Sequence, residues 1–152
     1  MSFRHLRVTA CVGAVLASGL VFPIVAETAG PAAPPAARSV WDGVFSPDQA
    51  ARGQKAYNSQ CARCHGESLG GGEDSPPLVD QDFLGNWNGK TLGTLVEYTR
   101  KKMPSDGPGK LSRQLCTDVV AYLLSANRFP AGNGSLEPNV DLLNQILIEP
   151  KK

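Results

Sequence analysis

Cys61-Ala62-Arg63-Cys64-His65 constrains this chain more than any other stretch. Two thiols three residues apart, with an imidazole directly after the second, have the spacing at which a haem is attached covalently. The geometry explains the spacing. On one helical turn Cys61, Cys64 and His65 fall at i, i+3 and i+4, on one face. Both sulfurs can then form thioethers with the two vinyl groups of one porphyrin, while the imidazole sends a ring nitrogen to the iron from the same side. A chain built on this motif must wrap a flat macrocycle, and its remaining residues must supply the walls.

Two other chemistries use Cys-x-x-Cys. A structural zinc ion needs four ligands, and beyond the first 26 residues only Cys116 could join the motif, with no further His. Adjacent Cys64 and His65 also reach one tetrahedral ion poorly. A thioredoxin-like dithiol needs βαβ patterning around it, and none is present.

The chain of 152 residues fits one domain with appendages. Arg4, His5 and Arg7 precede an apolar run from Val8 to Val25, and Ile24-Val25-Ala26 offers a cleavage site. Thr9, Gly13, Ser18, Gly19 and Pro23 interrupt the run, so residues 1–26 read as a signal peptide rather than a spanning helix. The expected location is therefore the periplasm, or the membrane surface if the leader is retained. The whole chain carries a formal charge of +1, which loss of Arg4 and Arg7 brings to about −1. Neither nucleic acid nor an anionic membrane is implied as a partner. Cys11 leaves with the leader, after which His65 is the only His and Met103 the only Met.

Residues 27–43 read as a Pro/Ala-rich tether, ETAGPAAPPAARSV followed by Trp41 to Gly43, and the domain is expected over 44–130. Ser46-Pro47-Asp48-Gln49 has the pattern of an N-cap, a first-position proline and a capping box. Ala50, Gly53, Ala56 and Tyr57 then run at helical spacing toward Cys61. From Gly66 to Gly89 the density of Gly, Pro and Asn predicts loop, with Glu67, Glu73, Asp74, Asp80 and Asp82 keeping its outside wet. A second helix is expected from about Thr91, with Leu92, Leu95, Val96 and Thr99 on one stripe and Arg100-Lys101-Lys102 at its end. These three cations suggest a basic patch that steers an acidic partner. The PSDGPGK loop (104–110) precedes a third helix, which Ser112 caps and which runs to about Asn127. Its apolar face holds Leu115, Val119, Tyr122, Leu123 and Ala126. Residues 131–152 form a tail with one short amphipathic segment, Val140 to Ile148. Cys116, left without a thiol partner, is expected as a buried small hydrophobe. The fold class is all-α: three main helices and long loops around one covalently attached haem.

From Trp41 to Pro130 the sequence resembles a class I cytochrome c, most closely the small bacterial periplasmic mono-haem forms. The resemblance implies that His65 is the proximal iron ligand and that Met103, followed by Pro104, is the distal one. Gly53 and Tyr57 match the small-plus-aromatic pair with which the first helix crosses the last, against Tyr122 and Leu123. Pro76 and Leu78 match a Pro-x-Leu whose proline carbonyl accepts a hydrogen bond from the ligand His. The proline is doubled here, so Pro76 and Pro77 both remain candidates. Trp87 in FLGNWNGKT resembles the aromatic residue on the propionate side, and Pro76, Leu78 and Trp87 would form part of the haem pocket.

The function implied is electron transfer, one electron at a time, between periplasmic or membrane redox partners. A quinoprotein or other dehydrogenase, or a terminal oxidase, would suit; a small-molecule substrate would not. An alternative is the cytochrome subunit of a larger dehydrogenase or oxidase complex. A haem-based sensor or peroxidase-like enzyme would need an open sixth position and a distal acid–base group, and no second His remains to serve.

Overall fold

The structure, a computed structural model, describes residues 38–73 and 75–151. The expected leader, tether residues 27–37 and Asp74 lie outside the described residues. Six helices and one two-stranded ladder are described, in agreement with the all-α expectation apart from that short ladder.

The stretch read as tether through Gly43 is folded from Arg38 onward. Arg38–Ser39 forms β1, and Val40 is fully buried. Its partner comes from the far end of the chain. Arg38 pairs in parallel with Ile146 and Ser39 with Leu147, and the Trp41 indole donates to the Glu149 carbonyl at 2.9 Å.

Helix α1 spans Pro47–Gln60, with the Ser46 hydroxyl accepting from the Gln49 N–H at 3.2 Å as the cap pattern predicts. Only half of the expected capping box forms. The Gln49 side chain turns inward instead, donating to Asp118 at 3.1 Å and to the Leu136 carbonyl at 3.0 Å. Its own carbonyl accepts from the Leu136 N–H at 2.7 Å, so a fully buried amide is satisfied on both ends.

After the one-turn helix α2 (Ala62–His65), the expected loop contains an unforeseen helix, α3 (Asp80–Trp87). No side chain of its own caps it. The Asp80 N–H donates to the Asn127 side chain at 2.8 Å, and the Asn127 amide donates to the Leu78 carbonyl at 2.9 Å. Phe83 is its buried anchor, edge-on to Phe129 with ring centroids 6.5 Å apart.

Helix α4 (Leu92–Lys102) has Thr91 as its cap and buries Leu92, Gly93, Leu95, Val96 and Thr99, the stripe expected from sequence. Helix α5 (Arg113–Ala126) is capped by Ser112 and crosses α1. Gly53 permits the crossing, because a methyl group there would sit 1.8 Å from the Asp118 carbonyl oxygen. Beside it Tyr57 meets Tyr122, ring centroids 5.3 Å apart. Cys116 is fully buried, as expected.

The segment after Pro130 is packed into the same unit. Leu136, Leu143, Ile146 and Ile148 are all buried. Helix α6 (Val140–Leu143) and strand β2 (Ile146–Leu147) bring that segment against the start of α4. There the Thr91 hydroxyl donates to Asn144 at 2.8 Å, and the Ile148 carbonyl accepts from Gly89 at 2.8 Å. Among the described residues, no helix is long and apolar enough to cross a membrane.

Candidate functional site

The end of α1 delivers Cys61, whose N–H donates to the Tyr57 carbonyl at 2.8 Å. The chain then tightens into α2. The Cys61 carbonyl accepts from Cys64 at 3.1 Å and from His65 at 3.0 Å, so the three motif residues do form one turn. Gly66 ends the turn at φ +76°, and its carbonyl accepts from the Tyr57 hydroxyl at 2.7 Å. The glycine run behind the motif is there for room. A methyl at Gly72 would come 2.8 Å from the Cys64 carbonyl oxygen, and Gly71, at φ +81°, has the Ser75 carbonyl oxygen 2.6 Å from where a methyl would stand.

A cavity of about 540 Å³ opens beside this turn, within the range of roughly 300–1,000 Å³ for sites that bury one small molecule or cofactor. Every site residue expected from sequence lines it: Cys61, Cys64, His65, Pro76, Leu78, Trp87 and Met103. The choice between the two prolines is resolved in favour of Pro76, whose carbonyl oxygen lies 2.9 Å from His65 Nδ1. A carbonyl only accepts, so Nδ1 carries the proton, and it is Nε2 that is left to bind a metal when the ring is neutral. A thioether sulfur, an imidazole with a free Nε2 and two thiols on one mostly apolar cavity fit the donor set of a covalently held haem. They do not fit a zinc site: among the described residues no group of three or more His, Cys, Asp and Glu could hold a metal ion.

Sequence reasoning missed several lining residues. Tyr57, Val119 and Leu123 read in the sequence as helix-crossing and core residues, and each also presents itself to the cavity. Tyr98 stands one position off the buried stripe of α4, 47 % exposed, and meets Trp87 edge-on with ring centroids 5.4 Å apart. A large aromatic residue just outside an apolar stripe was the available signal. Lys90 closes the same corner, its ammonium 5.0 Å from the Trp87 ring centroid and 2.7 Å from the Asn86 carbonyl. Burial, reinforced by the neighbouring Cys61 and Tyr122, pushes the Tyr57 hydroxyl up to about 12. Burial, with Cys116 and Cys64 adding to it, pushes the Cys61 thiol up to about 11. The Tyr57 and Cys61 side chains therefore meet the cavity uncharged at neutral pH.

The basic run before Met103 is not free as expected. Glu97 binds Arg100 at 3.0 Å, Lys101 at 3.2 Å and Arg113 at 2.9 Å. The Arg100 hydrogen bond foremost, opposed by partial burial and helped by Arg113 and Lys101, lowers the Glu97 carboxyl to about 2. One carboxylate thus ties down two of the three cations, while Lys102 is exposed and, among the described residues, makes no such pair. The acidic residues Glu67, Glu73, Asp80 and Asp82 are exposed as expected.

A family model described as cytochrome c oxidase, cbb3-type, subunit III, matches residues 48–123. Thiosulfate dehydrogenase of Stutzerimonas stutzeri (strain A1501) is 34 % identical over 85 residues, 51 % of this chain and 27 % of its own length. Photosystem II extrinsic protein V of Cyanophora paradoxa is 28 % identical over 113 residues, covering 71 % and 65 % of the two chains. The cbb3-type cytochrome c oxidase subunit FixP of Rhizobium meliloti (strain 1021) is 33 % identical over 91 residues, covering 52 % and 30 %. This chain therefore spans between about a quarter and just under two-thirds of the length of these relatives.

Proposed function

The chain belongs to the c-type cytochrome family described as cbb3-type cytochrome c oxidase, subunit III, and on that premise we propose a mono-haem electron carrier in which His65 and Met103 hold the iron. Family membership implies a covalently bound haem c and electron transfer, and the attachment residues are present as Cys61 and Cys64. The observation that supports the ligand assignment best is the convergence of Cys61, Cys64, His65 and Met103 on one cavity.

When bound, the haem supplies an iron that gains and loses one electron. The chain's own residues do the rest. Cys61 and Cys64 tether the ring. The Pro76 carbonyl fixes the His65 tautomer and the plane of the imidazole. Met103 offers a soft sulfur, which favours the reduced state and raises the potential relative to a second His. Tyr57, Leu95, Val119 and Leu123 keep water away from both ligands. With His65 and Met103 both holding the iron, no coordination site would be left for a small-molecule substrate. On this reading the chain is a carrier, not a catalyst, and its partners are redox proteins.

The leader pattern supports a periplasmic location, facing an exported dehydrogenase (a quinoprotein among them) or a terminal oxidase of a respiratory chain. The names of two relatives favour a second reading, a cytochrome subunit of a larger dehydrogenase or oxidase complex. Gel filtration of a gently solubilised native extract separates the two: the haem absorbance travels alone in the first case and with a larger assembly in the second.

The carrier proposal is tested on the purified protein by acid–organic extraction of one sample and redox titration of a second, native one. Retained haem and a single one-electron wave are expected. Haem lost to the solvent, or rapid carbon monoxide binding by the reduced protein, would overturn it.

A further inference from the structure

Arg63 and Asp106 form an ion pair across 43 residues of sequence. Arg63 lies on α2, between the two attachment cysteines, and Asp106 lies in the 104–110 loop that follows Met103. The loop's other hydrogen bonds stay on the Met103 side, Gly107 N–H to the Pro104 carbonyl at 2.9 Å and Gly109 N–H to the Arg100 carbonyl at 3.1 Å. Lys110, the loop's own cation, folds back within 3.2 Å of where a methyl at Gly107 would stand. Among the hydrogen bonds and ion pairs of the described residues, Arg63–Asp106 is the one tie from this loop to any element other than α4.

We propose that the Arg63–Asp106 pair is a clasp joining the Met103 loop to the haem-attachment turn, and that it sets how often this loop opens over the cavity. The proposal rests on the reading of Met103 as an iron ligand. Side chains 75 % and 58 % exposed contribute little to global stability. Local opening is a different quantity. The loop is rich in Pro and Gly, has no helical hydrogen bonds of its own, and among the described residues makes no other hydrogen bond or ion pair to α2, so a modest pair changes the open fraction directly. Both residues position Met103; neither touches the group in the cavity. The pair also separates the two cavity-side functions of the CARCH turn. Cys61, Cys64 and His65 line the cavity, while Arg63 pairs with the loop that follows Met103.

Asp106→Asn is the first variant, because it leaves the attachment motif untouched; Arg63→Gln is the second. Two readouts are taken on the haem-loaded protein: amide hydrogen exchange of residues 104–110, and the rate at which imidazole replaces the native ligand at about pH 8, where imidazole is largely neutral. Each variant should accelerate both by about two- to five-fold, the effect of removing one exposed pair. About 1 M salt should accelerate the wild type to the variants' rate and leave the variants unchanged. The charge exchange, Arg63→Asp with Asp106→Arg, should restore slow opening. Unchanged exchange and imidazole rates in both variants would overturn the clasp. A wild type without methionine–iron charge-transfer absorption would overturn the Met103 reading instead, and the exchange measurement would still decide the clasp.

Discussion

His65 and its neighbours hold the chemistry at single-residue scale. As an iron ligand the imidazole would need its proton on Nδ1, and the Pro76 carbonyl at 2.9 Å holds it there. A proline doubled in sequence gives no sign of which carbonyl will turn inward, so this choice was legible only in three dimensions. The cysteines divide cleanly. Cys61 and Cys64 line the cavity, whereas Cys116 is fully buried in α5 and does not. Cys61→Ala or Cys64→Ala should sharply reduce covalently loaded protein, measured as haem absorbance retained after denaturation. Cys116→Ala should leave haem content unchanged and cost about 1 kcal/mol for the small void, measured by urea unfolding. A native thiol that labels rapidly at Cys116 would contradict its buried placement.

At the scale of elements, two contacts decide how α1, α4 and α5 meet. Gly53 faces the Asp118 carbonyl so closely that Gly53→Ala must push the helices apart. A loss of at least about 1–3 kcal/mol is expected, with weakened near-ultraviolet signals from Tyr57 and Tyr122. An Ala variant as stable as wild type would contradict the crossing. The second contact is Glu97, which joins the end of α4 to the start of α5 through Arg113. Its carboxyl falls from an ordinary 4.5 to about 2 on folding. The stabilisation is therefore complete above about pH 4.5 and is lost as pH falls toward 2. Glu97→Gln should lower stability near neutral pH, by roughly 1 kcal/mol for such a network, and the gap to wild type should close with acidification. A gap that is constant from pH 7 to about pH 2 would refute the linkage. Caps and stripes made α1, α4 and α5 readable, since Ser46, Thr91 and Ser112 each accept from an N–H three residues on. Helix α3 was not readable, because its cap is Asn127, 47 residues away, and its interior holds Gly85 and Asn86. Packing of Phe83 overrode weak local propensity.

The whole molecule shows why the ends of the chain read as appendages. Two-residue strands carry no pattern of their own, and β1 and β2 exist only by pairing with each other. Gln49 likewise reads as a capping residue until the Leu136 backbone is beside it. The haem motif, by contrast, was legible at once, because its chemistry depends on three residues within one turn. The rest of the cavity wall comes from four helices and the loops between them, and it encloses the Cys61, Cys64, His65 and Met103 side chains together. The account stands on Met103 closing that cavity as the sixth iron ligand. The measurement that tests it most directly is the visible spectrum of Met103→Ala with and without carbon monoxide. Haem should remain attached through Cys61 and Cys64, the methionine–iron charge-transfer absorption of the oxidised state should vanish, carbon monoxide should bind the reduced variant readily, and the potential should fall. A wild type that already binds carbon monoxide quickly, with a spectrum unchanged by the substitution, would contradict the carrier reading and favour a ligand-binding haem protein.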